Sequence, residues 1–401
     1  MMKNPIRLGV LGLGRAFTLM LPTFQMDARV RLVAACDPRT AARDAFAKTF
    51  ASPAYEAAQE VCANPDVEWV YIATPHQMHA EHVRLAARNG KHVLVEKPMA
   101  LTLADCDAMI EVCEQAGVHL LVGHSHSYDA PVRLAHQLIH AGRIGGVCMV
   151  HAMQYTDFLY RPRRPEELDT ARGGGVVHSQ AAHQMDIVRL LAGSMARSLR
   201  AATGRWDPAR PTEGAYTALI TFADGAFASA TYNGYGFYDT DSLMEGIGEL
   251  GQPKPADAHS RTRMRLKTTT DEAAEAALKA ERNFGGSQYV EASLAPPAAW
   301  QHFGPVIVSG TRGDLRLTPH GVQIHDEHGQ QFVQAPPPAV PRSEVIDELW
   351  AVGRAGCMAL HDGRWSRATV ELCLAILKSQ ESDGEIVLKH QVPVPPPPVF
   401  Q

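Results

Sequence analysis

The sequence predicts an α/β fold in two parts: an N-terminal doubly wound parallel sheet, then an α+β domain on a large, mainly antiparallel open sheet. At 401 residues the chain exceeds one ordinary core and implies about two domains. From Ile6 to about Val122, the β-rich runs IRLGVLG, VRLVAACD, VEWVYIAT, KHVLVEKP and HLLVGHS alternate with Ala-rich amphipathic stretches. That order winds a parallel sheet with helices on both faces. Beyond about His124 the runs lengthen and alternate with period two, as in TALITFADGAFASATY, whose Asp224-Gly225 pair signals a hairpin.

The expected boundaries are 1–123 for the first domain, 124–390 for the second and 391–401 for a Pro-rich tail. VYIAT and HVLVE lack polar alternation, as strands covered on both faces do. In the second domain VIVSGTRGDLRLT and GVQIHDEHGQQFVQA form a further strand pair, with turns at Arg312-Gly313 and Glu327 to Gly329. Helices at roughly Ala182 to Leu191, Ser343 to Ala355 and Ser366 to Glu381 are expected to cover one face, Ser343 and Ser366 serving as N-caps. Residues Gln252 to Gly286, rich in charge and Pro with one helix over Asp271 to Arg282, read as an insertion near the site or at a subunit contact. The final VPVPPPPVF is expected to be extended, because proline fixes φ and offers no N–H.

Composition excludes several function classes. With 45% hydrophobic and 20% charged residues the chain reads as soluble and globular, and no run supplies the ~20 apolar residues of a membrane helix. MMKNP leads directly into a strand without a cleavage site, so no secretory signal is expected and the cytoplasm is the expected location. The seven cysteines are scattered singly without a C-x-x-C pair, so neither a disulfide framework nor a zinc knuckle is indicated. Most of them read as small apolar fillers. A net charge of −5 without a basic run gives no footprint for nucleic acid, and a small-molecule partner is expected.

Gly9-Val-Leu-Gly12-Leu-Gly14-Arg15-Ala16-Phe17 leaves a predicted strand and enters a helix. Glycines at 12 and 14 let the backbone turn tightly and approach a pyrophosphate seated on the N–H groups of the helix start, the Rossmann arrangement. Phe17 stands where a third glycine is usual. Asp37 ends the second strand, where an acidic residue accepts from the adenine ribose and repels a 2′-phosphate. NAD is therefore expected over NADP, with Arg39 as a guanidinium able to hold that phosphate instead.

Two further motifs follow in order: Thr74-Pro75-His76-Gln77-Met78-His79, and NGKHVLVEKP ending in Glu96-Lys97-Pro98. A later block runs Gly173-Gly-Gly-Val-Val-His-Ser179-Gln-Ala-Ala-His183-Gln-Met-Asp186. Together with the glycine loop these resemble the Gfo/Idh/MocA oxidoreductase family, from the glycine loop to about Leu388. The resemblance implies an NAD(P)-dependent oxidation of an alcohol, with Lys97 and His183 at the nicotinamide and Lys97 as the proton-transfer group. The chemistry agrees, since a lysine lowered in pKa by burial can take a hydroxyl proton. Glu96 is expected to orient the lysine or the nicotinamide ribose. Ser179 stands where the family often has aspartate, which leaves Lys97 and His183 as the acid/base unit. The exposed sheet faces of the family imply a homodimer or homotetramer.

His76, His79 and His82 are three apart, and His124 and His126 alternate along a strand. A zinc site would need a carboxylate or thiolate to complete it, and no metal is expected. His124, His126 and Tyr128 follow the fifth strand, at the sheet edge where doubly wound folds bind ligands, and are candidates for the substrate pocket. The loop DFLYRPRRPEELDT brings Tyr160, Arg161, Arg163 and Arg164 together, stiffened by Pro162 and Pro165. It reads either as a solvated charged loop or as a bidentate carboxylate site. With GLGRAFTLMLPTF and SQAAHQ, this loop resembles the branch of the family that oxidises cis-dihydrodiols of phthalate. That implies a dicarboxylated cyclohexadiene diol as substrate, with Ser179 and His183 also in the pocket. A sugar or inositol dehydrogenase, or an NAD-binding sensor without catalysis, are the alternatives.

Overall fold

The computed structural model describes residues 4–269, 271–291 and 293–397; the last residues of the expected Pro-rich tail, 398–401, lie outside them. The chain divides into two compact units. One comprises Met1–His124, Ala276–Pro296 and Val340–Arg367; the other comprises Ser125–Glu275, Pro297–Ala339 and Ala368–Gln401. The chain therefore passes five times from one unit to the other.

The first unit holds β1 (Ile6–Leu11), β2 (Val30–Cys36), β3 (Ala54–Tyr55), β4 (Trp69–Ile72), β5 (His92–Val95) and β6 (Leu120–Val122), ordered β3-β2-β1-β4-β5-β6. Every pairing in it is parallel. All four residues of β4 are buried, as are the last three of β5, which is the two-sided burial their unbroken apolar runs require. The strand order reverses between β1 and β4, and ligands of such sheets bind beyond the strand C-termini at that point. β3 was not expected; two residues carry no periodic signal.

The second unit holds β7 (Val147–Tyr155), β8 (Ala196–Gly204), β9 (Ala215–Phe222), β10 (Phe227–Asn233), β11 (Val306–Gly310), β12 (Gly313–Thr318), β13 (Gly321–Asp326), β14 (Gly329–Gln334) and β15 (Ile386–Val387). Their order is β14-β13-β12-β11-β7-β10-β9-β8-β15. Among the described strands of this second sheet only β7 and β10 pair in parallel. Tyr216, Ala218, Ile220 and Phe222 point inward from β9, and Tyr216 donates its hydroxyl to Oε1 of Gln184 at 2.7 Å on the wholly buried helix Ala182–Ala192.

Four expectations are corrected. Helix Ser343–Ala355 belongs to the first unit, not to the open sheet; Asp347 pairs with Arg29 at 2.8 Å and Arg354 with Glu68 at 2.8 Å. Ser343 is the first helical residue, behind Arg342 in the left-handed region (φ 54°), and makes no cap. The last long helix begins earlier than Ser366, at Gly363, because Asp362 accepts from Trp365 N at 2.7 Å and caps it. The charged insertion holds two helices, Ala258–Leu266 and Glu272–Ala280, where one was expected. Five of the seven cysteines are buried, in keeping with the expectation for most of them, Cys148 and Cys357 are exposed, and all seven are free thiols.

Candidate active site

In the first unit β1 ends in a loop that requires glycine. Gly12 has φ +91°, and a Cβ there would lie 2.9 Å from the carbonyl oxygen of Ala73. A Cβ at Gly14 would meet no atom within 4 Å, so open space precedes helix Arg15–Met26. Arg15 is exposed and Ala16 half-buried at the start of that helix. A pyrophosphate fits this cradle: open backbone at 14, directly before a helix start whose first N–H groups have no intrahelical acceptor. Asp37 is buried, with Oδ2 accepting from Leu13 N at 2.8 Å and Oδ1 from Arg39 N at 2.9 Å. Arg39 returns its Nε to Oδ1 at 3.0 Å and donates Nη2 to the Leu13 carbonyl at 2.8 Å. Asp37 and Arg39 therefore tie β2 to the glycine loop as well as bordering it.

Thr74, Pro75 and His76 follow β4 and are half-buried. His79 is fully buried, its ring nitrogens 3.0 Å from the carbonyl oxygens of Pro98 and Thr74. It fastens the loop after β4 to the loop after β5. Two carbonyls would favour a protonated ring, but burial dominates and pushes its pKa down to about 4. Lys97 is half-buried after β5, and both Lys97–Pro98 and Gly123–His124 are cis peptides. Glu96 beside it is buried, its carboxylate accepting from the Tyr71 hydroxyl at 2.6 Å and from the His124 backbone. Burial raises the Glu96 carboxyl above the usual range, against the opposing pull of Tyr71, Lys97 and Arg342.

The second unit gathers most of the substrate-side candidates. His183 lies on helix Ala182–Ala192, which a π-helical turn, Val177–Ala181, introduces; Ser179 is half-buried on that turn. The His183 ring meets the edge of His126 at 4.7 Å between centroids, and Phe303 at 5.1 Å. His126 Nδ1 and Asp129 Oδ2 are 2.7 Å apart, both side chains closed to solvent. Burial alone would lower the pKa of His126, but Asp129, aided by Glu249, outweighs it and holds it above the ordinary value. That hydrogen bond commits one nitrogen of His126 and one oxygen of Asp129 to each other. Tyr128 is fully buried beside them in sequence. His124 falls in the first unit, His126 and Tyr128 in the second.

The arginine loop is not uniform. Arg161 holds Asp157 through Nε at 2.8 Å and comes within 3.7 Å of Glu249. Glu249 in turn is 3.7 Å from His126. Arg163 instead lies 3.6 Å over the Phe158 ring and donates Nη2 to the Phe158 carbonyl at 2.7 Å. Arg164 is paired with Glu166 at 3.0 Å and is half-buried. Tyr160 donates to Asp207 at 3.0 Å under the Arg263 guanidinium. Arg161 is thus the loop arginine joined to the histidine cluster.

Three residues of this cluster were not read from the sequence. Asp129 was findable, since a carboxylate three residues after a histidine in a turn is within reach of its ring. Glu249 and Phe303 carried no local signal; both sit in irregular chain far from His126 and His183 in sequence.

Residues 6–124 match a model described as an oxidoreductase family, NAD-binding Rossmann fold, and residues 132–252 match a Gfo/Idh/MocA C-terminal domain. The chain belongs to the Gfo/Idh/MocA family. A 1-carboxy-3-chloro-3,4-dihydroxycyclohexa-1,5-diene dehydrogenase of Comamonas testosteroni is 45% identical over 93% of this chain and 94% of its own. A myo-inositol 2-dehydrogenase of Thermotoga maritima is 32% identical over 47% of this chain and 55% of its own. A dehydrogenase structure from Bordetella bronchiseptica RB50 superposes with a TM-score of 0.89 at 39% identity, covering 96% of this chain and all of that one. As a member of this family the protein is an NAD-dependent dehydrogenase. No helix among the described residues is long and apolar enough to cross a membrane.

Proposed function

We propose that the protein oxidises a carboxylated cis-dihydrodiol of cyclohexadiene to the aromatic catechol, the leading substrate being the cis-dihydrodiol of phthalate and its product 4,5-dihydroxyphthalate. The observation that carries this reading is the position of Arg161, a cation linked through Glu249 and His126 to the ring of His183. An arginine matches a carboxylate with two parallel hydrogen bonds. The reading is supported by the activity for which the 45% identical relative is named, whose substrate is a carboxylated diene diol.

Gly12, Gly14, Arg15, Ala16, Asp37, Arg39, Thr74, Pro75, His76, His79 and Glu96 are the residues we assign to holding or shaping the NAD site, with Lys97 beside its reactive end. When bound, the nicotinamide supplies the hydride acceptor. Lys97, as the free amine, takes the proton of the reacting hydroxyl, and Glu96, fixed by Tyr71, keeps the lysine oriented. His183, braced by His126 and Phe303, positions that hydroxyl. The ketone formed then tautomerises: the neighbouring carbinol carbon gives up its proton to water, the carbonyl oxygen takes one from water, and the ring becomes the aromatic diol. Tyr128, Tyr160, Ser179 and His124 complete the assigned pocket, with Arg163 and Arg164 as rim residues.

A second reading, oxidation of an uncharged polyol, is favoured by Glu249 and Asp157, because carboxylates accept hydrogen bonds from sugar hydroxyls. NADH formation screened over phthalate dihydrodiol, a monocarboxylated dihydrodiol, an uncharged dihydrodiol and myo-inositol separates the two. Turnover confined to the carboxylated diols is expected; preference for inositol would overturn the first reading, and no turnover of any alcohol would favour a sensor.

A further inference from the structure

Three carboxylates of the second unit alternate with an arginine and a histidine, in the order Asp157, Arg161, Glu249, His126 and Asp129. The outer contacts are made at hydrogen-bonding distance, 2.8 Å from Arg161 to Asp157 and 2.7 Å from His126 to Asp129. The inner contacts are not. One oxygen of Glu249 lies 3.7 Å from Nη1 of Arg161 and the other 3.7 Å from Nε2 of His126. Asp129 and Asp157 each lie closer to their partner, His126 and Arg161, than Glu249 does.

Accessibility follows the same division. The side chains of His126 and Asp129 are 2% and 3% exposed, whereas Glu249 keeps 22% and Arg161 38%. A ligand can therefore reach Arg161 and Glu249 without opening the buried His126–Asp129 pair. A carboxylate arriving at Arg161 meets Glu249 already there, and two carboxylates cannot share one guanidinium edge and one imidazole without repulsion. A neutral hydroxyl meets no such conflict.

We propose that Glu249 sets the substrate selectivity of this site: its carboxylate occupies, between Arg161 and His126, the position that the carboxylate of a ring-diol acid takes on binding. The proposal rests on the dihydrodiol reading above for the identity of the acid. Glu249 swings toward solvent as the acid enters, and its negative charge weakens every acid that binds, a penalty that uncharged diols do not incur. Arg161 remains fixed through Asp157 in both states.

The test uses the full-length enzyme with NAD. In Glu249→Gln, which keeps size and one acceptor oxygen but removes the charge, KM for a carboxylated dihydrodiol is expected to fall at least tenfold relative to KM for an uncharged one. Glu249→Asp, which restores the charge, is expected to return the ratio toward that of the wild type. An unchanged or reversed ratio in Glu249→Gln overturns the proposal. Binding of benzoate and of phthalate, followed by calorimetry without turnover, reads the same position independently of the true substrate. Tighter binding to Glu249→Gln by about tenfold is expected, and equal binding to both proteins overturns the proposal even if the dihydrodiol reading stands. Should the wild type prove inactive on every dihydrodiol, only that reading fails, and the calorimetry still decides the role of Glu249.

Discussion

The backbone N–H of Leu13 donates to Oδ2 of Asp37 at 2.8 Å, joining the glycine loop to the end of β2. Asp37→Ser removes this acceptor together with the partner of Arg39 Nε. Leaving the buried donor unmet should cost roughly 1–3 kcal/mol, measurable by urea unfolding. Arg39, released, becomes available to a 2′-phosphate, so the preference for NAD over NADP in kcat/KM should narrow at least tenfold. A preference unchanged in Asp37→Ser would remove Asp37 from cofactor selection.

The two loop glycines should fail differently. Gly12→Ala places a Cβ against the Ala73 carbonyl at a φ of +91°, so lowered thermal stability is expected before any cofactor is added. Gly14→Ala meets nothing within 4 Å and should melt near the wild type, yet bind NAD at least tenfold more weakly because the methyl fills space a pyrophosphate needs. Normal NAD affinity in Gly14→Ala, by fluorescence quenching, would move the phosphate site elsewhere.

For Lys97→Ala, turnover should fall by ~10²-fold or more with NAD still bound, the usual contribution of a positioned proton-transfer group. His183→Ala should lose less, as its assigned role is orientation. Pre-steady-state NADH formation at saturating substrate makes the measurement, and a Lys97→Ala rate close to wild type would exclude the lysine from the proton step.

The three loop arginines should separate. Arg161→Ala is expected to raise KM for a carboxylated diol by roughly 10–100-fold, somewhat below the full effect of a buried charge pair because Arg161 is partly exposed. Arg163→Ala should chiefly lower stability, through loss of the Phe158 carbonyl and ring contacts. Arg164→Ala, whose half-buried partners Glu166 and Glu167 join it to neither Glu249 nor His126, should change KM little. Equal KM effects from all three would contradict the distinction.

His79, His136 and His178 are each held at about 4 by burial. A histidine whose folded pKa lies below its unfolded value of 6.5 contributes stability that is complete above pH 6.5 and is lost as pH falls through 4. For His79 the interval corresponds to about 3 kcal/mol at 1.36 kcal/mol per unit. Urea midpoints measured from pH 7 to pH 4 should decline, and His79→Gln should flatten part of that decline; parallel curves would contradict this.

Much of the frame was legible because it is local. The unbroken runs of β4 and β5, the hairpin at Asp224-Gly225 and the glycine loop each state their conformation within a few residues. Helix Ser343–Ala355 has a clear amphipathic pattern, but a pattern does not name the sheet it covers, and Asp347 with Arg29 assigns it to the first unit. The capping role of Asp362 was masked by Ser366, an equally good cap by residue type four positions later. In the second unit, the three arginines clustered at 161, 163 and 164 look alike in sequence. Their different partners, Asp157, the Phe158 carbonyl and Glu166, depend on how the loop turns. Glu249 reaches His126 only through tertiary folding.

The five passages of the chain between its two units bear on how the molecule is made. The nucleotide-binding unit draws its final segment from Val340–Arg367, so it stays incomplete until residue 367 has been synthesised. Contacts this distant in sequence carry a large loop-closure cost and slow folding. A half-made chain would expose the apolar flanks of β1 and β4 for most of translation, and this enzyme should depend on chaperones during synthesis more than its finished core would suggest.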